Sequence, residues 1–236
     1  MPFRDGFSFR LSVGEAGAPY VLPDIEPYQV GEGLGSDDTF VGRHELLHQL
    51  RALWAQQHGK PAVVLVGQRR IGKTSLLHKI QRDGLAGMQL HPLVVNIQGT
   101  TSAYAFLNKC ARNMADILHS PRPTLRPEEA YADFSDFLLD LTPKLAGWRF
   151  LLMLDEADMI QGQQLGPLMP GFLRTLMQEP EYPTLLLFCG THALERVSRE
   201  YSSIFFNTAH MLTVSYTRRT QVFGFSIADD LEIFGQ

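Results

Sequence analysis

Gly67, Gly72, Lys73 and Thr74 stand in "VVLVGQRRIGKTSLLHKI" at the spacing G-x-x-x-x-G-K-[ST]. Those residue types at that spacing handle phosphate. The two glycines let the backbone come close to phosphate oxygens, with loop N–H groups turned inward. The helix that starts at Lys73 adds its positive dipole end at the same point. Lys73 would pair with the β- and γ-phosphates of a nucleotide, and the Thr74 hydroxyl would ligate Mg²⁺. Gln68, Arg69, Arg70 and Ile71 between the glycines, and Ser75 after them, complete the candidate loop. Arg69 and Arg70 suit a phosphate or a neighbouring subunit, but exposed loop cations are also commonly just solvated.

A second group of residues lies in "RFLLMLDEADMI". Five apolar residues, Phe150 to Leu154, lead into Asp155 and Glu156 at the carboxyl end of an expected buried strand. Open α/β sheets bind ligands at that edge. Asp155 suits the surroundings of Mg²⁺, and Glu156 suits a base that orients water. A strand ending in a solvated acidic turn has the same letters; the phosphate cradle is what gives them a task. After the next apolar run, "TLLLFCGTHALE", Thr191 stands where a polar group could sense a γ-phosphate. His192 could do the same, and both also suit the cap of the following helix. Arg196 and Arg199 on that helix would reach a neighbour's nucleotide or remain solvated. The candidate set is therefore Lys73, Glu156 and Thr191 for catalysis, Thr74 and Asp155 for the metal, and Mg²⁺ with ATP as the cofactor.

Two other patterns compete for attention. The letters "DEAD", Asp155 to Asp158, with "GKT" also occur in DEAD-box helicases. Such a motor should carry Ser-Ala-Thr after the next strand and a second domain of similar size. Here "CGTHAL" stands in that place, with only about forty residues beyond it. "HELLH", His44 to His48, matches the zinc-protease pattern H-E-x-x-H, and two histidines at i and i+4 do share a helix face. Leu46, Leu47, Leu50, Leu53 and Trp54 form the expected buried stripe, which leaves both histidines on the wet side. Trp54 occupies the position where a metzincin has its third histidine.

The elements that must hold these groups follow from hydrophobic patterning. Apolar runs at 62–66, 92–97, 149–154, 184–189 and 211–216 read as strands. Amphipathic stretches at 44–57, 73–82, 102–118, 127–146, 167–178 and 193–206 read as helices. Near-continuous apolar strands alternating with helices imply a parallel sheet covered on both faces. Residues 1–39 are rich in Gly, Pro and Asp, with one alternating stretch, "FSFRLSV". The chain has 236 residues, 44% of them hydrophobic, which suits one α/β domain with a large core. Its net charge of −4 offers no general attraction to nucleic acid. The apolar runs are too short to span a bilayer. The two cysteines, Cys110 and Cys189, lack metal spacing and lie in apolar surroundings, so a reducing cytosol is expected.

Together, "EPY", "FVGRHEL", "VGQRRIGKTSLL", "VVNIQG", "LLMLDEAD", "LLLFCGTHALE" and "YSSIFFNTAHMLTVSY" resemble the STAND-like branch of the AAA+ superfamily of P-loop ATPases, from about Pro27 to Tyr216. The resemblance implies a P-loop NTPase three-layer α/β sandwich with a five-stranded parallel sheet of order 5-1-4-3-2. It implies adenine-side contacts near Phe40, Val41, Gly42 and Arg43, with residues 1–39 as an extension and 40–216 as the ATPase core. Family members continue from the last strand into a helical lid, and here residues 217–236 form a tail in its place. The expectation is a nucleotide-binding core cut from a larger signalling or defence-type ATPase, or a naturally reduced one. Slow Mg·ATP hydrolysis would act as a switch, and a nucleotide-holding scaffold without turnover is the alternative. ATP and ADP are the expected partners, with homo-oligomer contacts made through nucleotide in the longer protein and no membrane partner.

Overall fold

In the computed structural model, residues 43–55, 60–161, 165–194 and 209–215 are described. Helix α1 (His44–Ala55) precedes strand β1 (Val63–Val66), helix α2 (Lys73–Asp83), strand β2 (Leu90–Asn96) and helix α3 (Ala103–Ile117). Helix α4 (Ala130–Leu141), strand β3 (Arg149–Asp155), helix α5 (Met169–Gln178), strand β4 (Thr184–Gly190) and strand β5 (His210–Thr213) follow. The strands form one sheet of order β2-β3-β4-β1-β5, and every pairing is parallel. Read from the other edge, this is the expected order 5-1-4-3-2.

Side chains on successive strand residues point to opposite faces, and here both faces are apolar. Val64, Val66, Phe150, Leu152, Leu154, Leu186 and Phe188 pack with residues of α3, α4 and α5. Val63, Leu65, Leu151, Met153, Leu185, Leu187 and Cys189 pack with α1 and α2. That two-sided burial is why the strands read as continuous apolar runs rather than as alternation. α1 buries Leu46, Leu50 and Trp54 while Leu47 and Leu53 are half-buried, and α2 buries Leu76, Leu77 and Ile80. The crossover leaving β1 runs to the far edge, whereas those leaving β2, β3 and β4 run back the other way. The reversal opens a crevice at the carboxyl end of β1.

Element boundaries differ from expectation where proline intervenes. The segment expected as one helix over 127–146 is α4 flanked by 3₁₀ turns at Pro127–Glu129 and Thr142–Leu145. Pro127 and Pro143 lack the N–H that a continuous helix would use. Ala146 and Gly147, at φ 47° and 89°, then turn the chain into β3. β2 starts at Leu90 rather than residue 92, and its place at the sheet edge accommodates Pro92. Most of the helix expected over 193–206, the stretch "FSFRLSV", Phe40, Val41, Gly42, Arg196, Arg199 and residues 217–236 lie outside the described residues.

Candidate functional site

The loop between β1 and α2 is built by close backbone approach. Gly67 N–H donates to the Gly190 carbonyl at 3.3 Å. A Cβ on Gly67 would lie 2.7 Å from the Val214 carbonyl oxygen and 3.1 Å from Ile71 Cγ2. The start of the loop is thus squeezed between the ends of β4 and β5, and only glycine fits. The loop then turns through two left-handed positions, Arg70 at φ 62° and Gly72 at φ 91°. Ile71 is buried among α2 and sheet residues, while Gln68, Arg69 and Arg70 are exposed. α2 opens at Lys73 behind Gly72, an N-cap residue that has no side chain to cap its amides. Lys73 is only 8% exposed, and its ammonium donates to the Gly67 and Gln68 carbonyls at 3.0 and 2.9 Å. Thr74 and Ser75 are half-buried on the first turn.

The acidic strand end meets this turn directly. Asp155, 3% exposed, accepts from the Thr74 hydroxyl at 2.8 Å through Oδ2 and from the Glu156 N–H at 3.0 Å through Oδ1. Glu156 sits at φ 54°, a left-handed conformation that a side chain with a Cβ adopts at a cost. Such strain persists only where the surroundings over-determine it, and it concentrates at functional sites. Behind the pair, burial pushes the Cys189 thiol well above its ordinary range, Asp155 adds to the shift and Lys73 opposes it. Cys189 is therefore an inert thiol packed behind the charges.

Thr191 follows β4. Its backbone N–H donates to Asp158 Oδ2 at 2.8 Å, and its hydroxyl accepts from Ala193 N–H at 3.2 Å, which makes it a local cap. His192 is exposed. Asp158 was legible only as the last letter of "DEAD". In the fold it ties the acidic turn to the loop after β4, and a Cβ on Gly190 would lie 3.0 Å from both its oxygens. Its Oδ1 is buried and has no hydrogen-bond partner among the described residues. The spacing Asp-x-x-Asp across a strand end was the available signal, since it returns a carboxylate to the same edge through one tight turn.

The site therefore brings Gly67, Ile71, Gly72, Lys73, Thr74, Asp155, Glu156 and Thr191 to one sheet edge. Val41 and Gly42 lie outside the described residues; Arg43 reaches the loop by donating to the Ile71 carbonyl at 2.8 Å. His44 and His48 are exposed on α1. Among the described residues, no group of three or more His, Cys, Asp or Glu is placed to hold a metal alone. The residues present fit a magnesium nucleotide. A buried ammonium donating to two loop carbonyls, beside a helix start whose N-cap is glycine, favours an anion. A hydroxyl and a carboxylate 2.8 Å apart offer the hard oxygens that Mg²⁺ prefers.

This loop and sheet define a P-loop nucleotide-binding α/β domain. A family profile described as "AAA domain" matches residues 55–197, and the chain belongs to that family of AAA+ P-loop ATPases. Among solved structures it is similar to the Walker-type ATPase PABY2304 of Pyrococcus abyssi, at 15% identity and TM-score 0.55, covering 78% of this chain and 56% of that one. It is also similar to the Aeropyrum pernix ORC1 protein in complex with DNA, at 19% identity and TM-score 0.56, covering 76% and 47%. The ADP form of the Aeropyrum pernix ORC2 protein matches at 15% identity and TM-score 0.51, covering 75% and 50%. The chain spans about half the length of these proteins. No curated protein matches the sequence. Among the described residues, no helix is long and apolar enough to cross a membrane.

Proposed function

We propose that this chain is a Mg·ATP-binding switch domain that hydrolyses ATP slowly, within a larger signalling or defence-type ATPase of the STAND-like branch. The observation that carries the reading is the Thr74 hydroxyl on Asp155 at 2.8 Å, beside the buried Lys73 ammonium. That contact joins the phosphate loop to the acidic strand end. Thr74 and Asp155 would hold Mg²⁺, which supplies charge neutralisation at the phosphate oxygens. Lys73 swings from its loop carbonyls to the β- and γ-phosphates, and the amides of the loop and of the first α2 turn bind the remaining oxygens. Glu156 orients the attacking water and takes its proton, since a carboxylate is the group at this edge able to do so. Thr191 sits at the γ-phosphate side, fixed through its N–H by Asp158. Residues 40–216 serve as the ATPase core, with Val41, Gly42 and Arg43 on the adenine side. ATP and ADP are the partners that set the two states, and contacts between copies in the longer protein read them.

Phosphate release from Mg·ATP tests the chemistry. Glu156→Gln keeps shape and loses the base, so it should bind ATP like wild type and turn over about 10²–10⁴-fold more slowly. Equal release by the two proteins would remove hydrolysis from the reading and leave a nucleotide-holding scaffold.

A further inference from the structure

Arg43 stands at the entrance to α1, where its own carbonyl accepts the Leu47 N–H at 3.0 Å. Its backbone is left-handed, at φ 68°, although it carries a full side chain. The guanidinium donates from one nitrogen to the Ile71 carbonyl at 2.8 Å and from another to the Ser215 carbonyl. These acceptors belong to different segments. Ile71 immediately precedes Gly72 in the phosphate loop, and Ser215 lies two residues beyond β5. The same exit strand already touches the other end of the loop, where the Val214 carbonyl leaves no room for a side chain on Gly67. The Val214 N–H also donates to the Val66 carbonyl at 2.7 Å. Residues 214–215 therefore border the phosphate loop at both its first and its last turn.

A planar guanidinium is suited to this task. Its donors diverge in a rigid fork, whereas an ammonium is a point charge on a flexible stem. Both acceptors are carbonyls, so the positive charge stays beside the loop. Burial lowers the guanidinium's affinity for its proton, as expected for a cation placed against backbone.

We infer that Arg43 is a positioning residue for the phosphate loop. It fixes the Ile71–Gly72 peptide, and with it the direction of the Gly72 and Lys73 amides, and makes that geometry depend on the segment leaving β5. This rests on the nucleotide-binding reading above. It refines the adenine-side placement given above: Arg43 stands on that side of the site but acts on the loop rather than reading the base. The segment after β5 and the loop would then shift together, so phosphate occupancy is felt at Ser215 and a pull on Ser215 is felt at the phosphates.

Two measurements on the full chain test this, with Arg43→Gln and Arg43→Lys. The first is calorimetric titration with Mg·ATP, Mg·GTP and baseless tripolyphosphate. Losing one charged hydrogen bond to the loop should weaken all three by the same factor, about tenfold. The ratio of ATP to GTP affinity should stay as in wild type, and Arg43→Lys should recover only part of the loss. A selective loss of ATP relative to GTP and tripolyphosphate would mean that Arg43 reads the base, and would overturn the inference. Unchanged affinities in a variant with a lowered Tm would reduce Arg43 to a structural tie, and would overturn it too. The second is amide hydrogen exchange on the ligand-free protein. Arg43→Gln should speed exchange in 71–74 and in 213–215 together, and faster exchange in only one segment would disprove the coupling. Wild-type protein that binds none of the three ligands would instead refute the nucleotide reading, while the exchange experiment would still decide the role of Arg43.

Discussion

Two lysines at opposite ends of β1 have the same kind of partners and different consequences. Lys60 lies ahead of β1 and donates to the carbonyls of Leu176 at 2.9 Å, Tyr182 at 2.8 Å, and Glu179. Leu176 is in the last turn of α5, and Glu179 is the residue that ends it. A helix carboxyl end presents unpaired carbonyls and the negative end of its dipole, so a cation there is satisfied by the fold itself. Lys73 donates to two carbonyls as well, but it is the first residue of α2, where the dipole end is positive. The helix dipole opposes that ammonium, and its favourable partners are the loop carbonyls and the neighbouring Asp155 carboxylate. An anion completes the second site, whereas the first is already complete. Burial and carbonyl partners alone therefore do not separate a structural cation from a ligand-binding one; the end of the helix does.

The largest expected effects come from removing each lysine. Lys73→Ala should weaken Mg·ATP binding by about 30-fold or more, as for the loss of a desolvated charge-assisted contact worth about 2–5 kcal/mol. The ligand-free protein should lose less stability than Lys60→Met does, because relief of a cation at a helix start offsets part of the two lost hydrogen bonds. Lys60→Met should do the reverse. Three carbonyls lose a charged donor but each keeps another, from the Thr184 hydroxyl, the Tyr182 N–H or the Thr184 N–H, which should cost about 1–3 kcal/mol of unfolding free energy, while affinity for nucleotide in the folded protein stays as it was. Calorimetric titration and chemical denaturation on both variants measure the four quantities. A Lys73→Ala protein that keeps its affinity, or a Lys60→Met protein that loses affinity but not stability, would break the contrast.

Smaller effects should distinguish the two glycines of the loop. In Gly67→Ala the new methyl meets the Val214 carbonyl at 2.7 Å, and backbone at the end of a strand yields little. Overpacking of that kind costs about 1–3 kcal/mol, and relief requires β5 to move away. Gly72→Ala meets nothing within 4 Å, but its φ of 91° is strained for alanine, at about 1–2 kcal/mol. Gly67→Ala should therefore raise exchange in 211–215 as well as in the loop, and Gly72→Ala in the loop only. Identical exchange maps would show that the loop does not lean on β5.

What was legible in the sequence is what repeats locally. The glycine, lysine and threonine spacing and the five apolar runs are short-range patterns, and each lies on an element of the expected type. Proline signals at Pro127 and Pro143 were present but lost weight against the amphipathic period of the long segment between them. The strand order came only through the resemblance, since no periodicity states which strands are neighbours. The ties that organise the edge are hydrogen bonds between distant residues. Asp158 to Thr191 spans 33 residues, Lys60 to Leu176 spans 116, and Arg43 to Ser215 spans 172. Each uses a common polar residue and a backbone group, so no residue type marks the partner. The identity of the pair exists only after the chain has folded.

The last and smallest effect asks whether Lys60 acts as a charge or as a donor. Burial, and then the Arg149 guanidinium, pull its ammonium down from 10.5 to about 8, with Glu179 and Glu181 pulling the other way. The folded pKa thus lies below the unfolded one, and between about pH 8 and 10.5 the unfolded chain holds more of this proton. Stability contributed by the residue must rise with pH across that window. A neutral amine still has two hydrogens to donate to the carbonyls, so losing the proton removes the cost of a half-buried charge while keeping most of the pin. The difference in Tm between wild type and Lys60→Met should accordingly widen from pH 7 to pH 10, and subtracting the variant cancels titrations common to both. If the difference narrows instead, the α5 carbonyls and dipole hold the ammonium against burial, and Lys60 is anchored by its charge rather than by its hydrogens.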